Sequence, residues 1–109
     1  TQSRVDRPMN GAIVAPGTYE VAGVAWAPTR GVSRVEVRLD DGAWQPAQLS
    51  QPLSNYAWVQ WRASLDVAAG EHTLAVRATD GTGETQPEAR TAPAPDGARG
   101  WHTIRFFAR

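Results

Sequence analysis

Short segments of alternating apolar and polar residues, turn residues between them about every ten positions, and no helical period over three turns point to one fold class. They predict an all-β chain, an immunoglobulin-like β-sandwich of about seven strands. The chain has 109 residues, which makes residues 1–109 a single domain long enough to bury a core and fold alone.

Taken in order, residues 4–8 form a short first segment, and Asn10-Gly11 marks a turn before residues 12–15. Pro16-Gly17 is a second turn. In residues 18–27, TYEVAGVAWA, the side chains of Tyr19, Val21, Gly23 and Ala25 share one face, and Val24 and Trp26 share the other. Apolar groups on both faces predict a central strand, or a bulge near Gly23. Residues 28–31 loop into VSRVEVRLDDGAWQPAQL, residues 32–49, which reads as a complete hairpin. Val35, Val37 and Leu39 alternate with Arg34, Glu36 and Arg38, and Asp41-Gly42 supplies the central pair of a type I′ turn. That turn sets Asp40 opposite Ala43 and Leu39 opposite Trp44, which places the Trp44 indole on the core face. Pro46 donates no ladder hydrogen bond, so the second strand of the hairpin lies at an edge or is bulged.

Residues 50–55 form a loop, and residues 56–65, YAWVQWRASL, form a long strand. Its odd positions, Ala57 through Leu65, face the core, and Tyr56, Trp58, Gln60, Arg62 and Ser64 face outward. Ala69-Gly70 turns the chain into residues 71–80, where Leu74, Val76 and Ala78 make the apolar face. Residues 81–100 hold three Pro and four Gly and show no apolar period, too long a stretch for an ordinary hairpin loop. The last strand, residues 101–108, carries His102, Ile104 and Phe106 on one face and Trp101, Thr103, Arg105 and Phe107 on the other.

Eleven Arg balance eleven Asp and Glu, and there is no Lys. A neutral chain of this kind argues against a nucleic-acid partner and against direct contact with an anionic membrane. No segment approaches the length of a membrane span, no signal-peptide pattern opens the chain, and the first residue is not Met, so the expectation is a fragment of a longer protein. With no Cys, there is no disulfide, no thiolate metal site and no thiol nucleophile. His72 and His102 are the only imidazoles, too few for a zinc site, and both read as hydrogen-bonded strand residues. Ser, His and Asp are present, but no nucleophile elbow arranges them. Asp40-Asp41-Gly42 and residues 80–84, DGTGE, are turn chemistry, and no catalytic or metal-binding residue is expected.

Five Trp is a high count for this length. Trp26, Trp44 and Trp61 are expected to fill the core, whereas Trp58, of opposite parity to Trp61, faces outward. An outer row of Tyr56 and Trp58, with Trp101 or Phe107 from another strand, forms a candidate contact face. Two classes of function fit it: an interaction domain that pairs with its own copy, or a carbohydrate-binding module that stacks sugars on exposed aromatics.

Val24-Ala25-Trp26, Arg34-Val35-Glu36-Val37, Asp41-Gly42-Ala43-Trp44, the Trp58 and Trp61 pair, Gly70, Arg77-Ala78-Thr79-Asp80, Gln86-Pro87 and His102 follow one another in an informative order. In this the chain resembles the carboxy-terminal domain of the sulfite oxidase family, the Mo-co oxidoreductase dimerisation domain, over nearly its whole length. The resemblance implies an immunoglobulin-like fold and the tail position in a molybdopterin-dependent oxidoreductase. It also implies that the molybdenum, its pterin and the ligating Cys belong to a preceding domain, so this chain binds no cofactor itself. Its implied partners are that preceding domain and a second copy in a homodimer, with Tyr56, Trp58 and Phe107 as interface candidates. Some family members reach the anionic substrate with an Arg from a Trp-Asn-x-Arg-Gly stretch before the last strand. Here the Trp-Asn pair is missing, and Arg90 and Arg99 are the basic residues that could reach toward a partner domain. Export of many bacterial relatives suggests an extracytoplasmic location.

Overall fold

The computed structural model describes residues 2–27, 31–50, 58–86 and 102–109. Nine strands lie within them: β1 (Gln2–Arg7), β2 (Ile13–Val14), β3 (Gly17–Trp26), β4 (Val32–Leu39), β5 (Gln45–Pro46), β6 (Gln48–Leu49), β7 (Val59–Val67), β8 (Gly70–Asp80) and β9 (His102–Ala108). They form two sheets, the first in the order β1-β3-β7-β6 and the second in the order β2-β9-β8-β4-β5. All pairings are antiparallel except β2 with β9.

Strand alternation decides which side chains meet between the sheets. From the first sheet come Val5, Val21, Ala25, Trp61, Leu65 and Val67, and from the second Val35, Val37, Leu74, Val76, Ile104 and Phe106. Trp61 is the largest, 1% exposed, and its indole N–H donates to the Val24 carbonyl at 3.3 Å. β3 is central, as its two apolar faces suggest, and pairs with β7 without interruption from Gly17 to Ala25. The bulge lies instead in β1, between Val5 and Arg7.

The hairpin after β4 departs from the type I′ expectation. Gly42 N–H donates to the Leu39 carbonyl, and Asp40, not Asp41, takes positive φ at 54°. β5 pairs Val37 with Gln45 and Glu36 with Pro46, a register that brings Trp44 opposite Arg38 rather than Leu39. A slip of one residue reverses the face of every side chain on a strand. Trp44 therefore leaves the core and lies on the outer face of the second sheet, against the guanidinium groups of Arg38 and Arg77 at 4.9 and 4.1 Å. Trp26 is also outside the core, on the outer face of the first sheet. Only Trp61 of the three expected core tryptophans is in it.

Both flanks of the sandwich are closed by a stretch of chain that passes from one sheet to the other. Residues 2–14 run along the first sheet as β1 and then join the second as β2, beside β9. Residues 45–49 pair with β4 as β5 and with β7 as β6, and the Ala47 N–H reaches the Val35 carbonyl between them. Along β9 the edge groups are taken up: Asn10 Oδ1 accepts from the Arg105 N–H, Gly11 N–H donates to the Arg105 carbonyl, and the Ala12 and Val14 carbonyls accept from Phe107 and Arg109. Near the start of β1 the Val5 N–H donates to His102 Nδ1, and Ser3 donates to Gln86. Asp80, buried, accepts from the N–H groups of Thr82 and Glu84 and from the Thr82 hydroxyl, which fixes the start of the connection after β8.

The two histidines tie distant parts of the chain together in opposite charge states. His72 sets Nδ1 2.8 Å from an Asp40 carboxylate oxygen and Nε2 2.6 Å from the Ala68 carbonyl, so both nitrogens donate and the ring is an imidazolium. The Ala68 carbonyl and then the Asp40 carboxylate raise its pKa above the ordinary 6.5, against the effect of burial. Burial works to raise the Asp40 pKa in turn, but the hydrogen bonds from His72 and the Thr73 N–H outweigh it and hold the carboxyl below its usual range. His102 accepts through Nδ1, and burial, then the positive charge of Arg4, push its pKa below 6.5.

The pH dependence of stability follows with a definite sign for each ring. His72 is raised in the folded state, so its contribution is complete below 6.5 and is lost as pH rises through the folded value. His102 is lowered, so its contribution is complete above 6.5 and is lost as pH falls through the folded value. The melting temperature should therefore peak near neutrality. His72→Gln should flatten the alkaline limb and His102→Gln the limb just below neutrality, and an unchanged profile in either variant would refute that ring's assigned charge state.

Candidate interaction site

Two groups of exposed apolar side chains stand on opposite outer faces of the sandwich. On the first sheet, Val24 and Trp26 of β3 continue the outward row of Glu20 and Ala22, and Gln60 and Arg62 of β7 continue the row begun by Trp58. Trp58 stacks on Trp26 with ring centroids 5.4 Å apart and planes 12° from parallel, and it is 51% exposed. Beside the pair the small residues Ala22 and Gly23 leave a trough of about 450 Å³, walled by Asp6, Glu20, Gln48, Gln60 and Arg62.

On the second sheet, Phe107 of β9 faces outward next to its cross-strand partner Ile13 of β2. They are 37% and 58% exposed, and Met9, in the turn that leads into β2, is 75% exposed. Glu71 and Arg105 flank Phe107 and form an ion pair at 3.3 Å. Further along this face Glu36 bridges Arg77 at 3.0 Å and Arg34 at 3.7 Å beside Trp44.

Sequence parity placed Trp58 and Phe107 outward, and both are outward. They do not share one patch, because β7 and β9 belong to different sheets. Tyr56, Arg90, Arg99 and Trp101 lie outside the described residues. Sequence reasoning missed Met9, Ile13 and the stacking role of Trp26. The two-residue strand β2 is too short to show a period, and the outward parity of Trp26 was the one available signal.

The His72–Asp40 pair resembles half of a catalytic relay, but Nε2 meets a backbone carbonyl where a nucleophile would have to stand. A molybdenum–pterin group does not fit this donor set: the chain has no Cys, and among the described residues no three His, Asp or Glu side chains converge. No helix of the described residues is long and apolar enough to cross a membrane.

Comparison with known proteins adds the following. Residues 1–104 match the profile of the Mo-co oxidoreductase dimerisation domain. Mitochondrial sulfite oxidase of Mus musculus is 35% identical over 95 residues, which cover 80% of this chain and 17% of the mouse protein. The sulfane dehydrogenase SoxCD of Paracoccus pantotrophus superposes with a TM-score of 0.71 at 28% identity, covering 80% of this chain and 23% of that one. Fibronectin(III)-like modules of Clostridium thermocellum CbhA superpose with a TM-score of 0.68 at 14% identity, covering 98% of this chain and 96% of the module, a likeness of fold.

Proposed function

The chain belongs to the Mo-co oxidoreductase dimerisation domain family, and from that membership we propose that it is the self-association and interdomain-packing unit of a larger molybdenum-cofactor oxidoreductase, with no chemistry of its own. The observation that supports this most directly is the pair of separate exposed apolar patches on opposite outer faces, since a module held between two partners needs two contact surfaces. In this reading residues 1–109 are one domain, the pterin and its molybdenum sit in a domain that precedes it, and the assembly is a homodimer.

The end of the first sheet with Trp26 and Trp58 is assigned to the preceding domain. Gln2 pairs with Trp26, so the chain enters the sandwich there. The connection carrying Arg90 and Arg99 leaves from Gln86 and returns at His102, and these two residues bond to Ser3 and Val5 of β1. Arg90, Arg99 and Tyr56, outside the described residues, are carried into this reading as candidates for that contact on the sequence alone.

The test uses the full-length oxidoreductase. Deleting residues 1–109 should convert a dimer into a monomer, measured by sedimentation, while molybdenum and pterin stay with the remainder. The isolated chain should carry neither molybdenum, pterin nor zinc in stoichiometric amount. A dimer that persists without this domain, or metal that travels with it, would refute the reading.

A further inference from the structure

We propose that the second copy docks on the corner of the second sheet formed by Met9, Ile13 and Phe107, with Glu71 and Arg105 of each copy crossing to the other. The inference rests on the dimerising role argued above and goes on to say which face performs it.

Of the four exposed large apolar side chains among the described residues, Ile13 and Phe107 meet at this corner, and Met9 belongs to the turn that leads into it. The register explains why: Ile13 is the cross-strand partner of Phe107, and Met9 belongs to the turn whose carbonyl accepts the Ala12 N–H just before β2. All three stay exposed although the core lies directly beneath, where Phe106 and Ala108 are buried. Such a cluster, rimmed by polar groups, is the composition of an interface centre.

The charges beside it identify the occupant. A face that meets its own copy under a two-fold axis must be complementary to itself, so a patch of one sign would repel. Here Glu71 pairs across β8 and β9 with Phe107 itself, and Arg105 with the next outward position, Thr73. The two charges are of opposite sign and 3.3 Å apart, with side chains 53% and 66% exposed, so each is free to meet the partner's opposite charge without leaving the patch. Asn10, Thr73 and Thr103, together with Arg105 and Phe107 themselves, line a shallow depression of about 510 Å³. Phe107 forms part of the wall of this depression. A half-turn about an axis in the plane of this face brings the Phe107 and Ile13 side of one copy against the same side of the other. The contact must extend over the outer rows of β8 and β9, since a specific interface takes about 800 Å² from each partner.

Sedimentation of the full-length oxidoreductase as a function of concentration tests this. The double substitution Ile13→Lys with Phe107→Lys should weaken the dimer by roughly 30-fold or more, the size of effect a central aromatic carries. Its thermal unfolding should change little, because both side chains point to solvent. Glu71→Arg alone and Arg105→Glu alone should each weaken the dimer, and the two together should restore it. Trp58→Arg should leave the dimer intact. If the double-lysine protein remains as dimeric as the parent, or if Trp58→Arg dissociates it, the assigned face is wrong while the dimerising role stands. If the unmodified full-length protein is itself monomeric, the dimerising role falls and this inference falls with it.

Discussion

Replacing Trp61 with alanine is expected to remove about 3–5 kcal/mol of stability, the range for emptying a buried tryptophan site. The ring is 1% exposed, spans the space between the sheets, and loses its hydrogen bond to the Val24 carbonyl as well as its packing. That carbonyl sits on a central strand already paired on both sides, so the surroundings have little freedom to collapse into the gap. Trp61→Phe should recover more than half of the loss. Trp44→Ala is the contrasting substitution: the indole lies on an outer face against two arginines, and its loss should cost only about 1–2 kcal/mol, the sum of two partly exposed cation–π contacts. Chemical denaturation of the three variants checks the ranking, and a Trp61→Ala midpoint close to that of the parent would mean that the core is not built around this ring.

Gly23→Ala is expected to be almost as damaging, at about 3 kcal/mol, although it adds one methyl group. A Cβ at this position would stand 1.9 Å from the Arg4 carbonyl oxygen and 2.7 Å from Cζ2 of Trp61. Neither can step aside. The Arg4 oxygen is part of the β1 backbone, held by the pairing of Arg4 with Val24 and Val5 with Gly23, and the Trp61 ring is enclosed. The cheapest response is for β1 to separate from β3, so amide exchange in residues 2–7 should accelerate more than elsewhere. Trp61→Ala in the same chain relieves the ring clash but not the backbone clash, and the two losses should not add. Full protection of the β1 amides in Gly23→Ala would show that the approach of β1 to β3 is looser than the geometry states.

Much of the sandwich was legible from alternation. The core faces of β7, β8 and β9 follow directly from Val59, Trp61 and Leu65, from Leu74 and Val76, and from Ile104 and Phe106. Where alternation and residue type disagreed, alternation won: Trp26 is a large aromatic and yet lies outside, as its parity with Val24 requires. Trp44 was misplaced because Asp41-Gly42 favours a two-residue turn, whereas the turn formed is centred on Asp40 and Asp41 and shifts the register by one. The transfer of one stretch of chain between sheets leaves no periodic trace, because β2, β5 and β6 are two residues each. For the same reason the Met9, Ile13 and Phe107 corner was invisible: it is assembled from residues about ninety positions apart, by a parallel pairing that no local pattern encodes. The bond from the Val5 N–H to His102 is equally non-local.

The closed flanks decide what kind of aggregate this domain is able to form. A sandwich with a free strand at its side offers a template on which another chain adds hydrogen bonds, and the new chain then offers its own strand, so growth has no natural end. Here β9 is lined by Asn10, Gly11, Ala12 and Val14, β1 is turned toward His102, and the stretch from Gln45 to Leu49 is divided between two sheets. Among the described residues these contacts shorten the row of donors and acceptors that could nucleate a fibre, and the stretch of β7 beyond Arg62 is the part that β6 does not cover. A contact made through a broad face is self-limiting by contrast, because a self-complementary patch is used up once two copies meet. A domain that exposes Trp58 and Phe107 on its faces while its edges are partly covered is built to favour association that ends at a finite number of subunits over open-ended polymerisation.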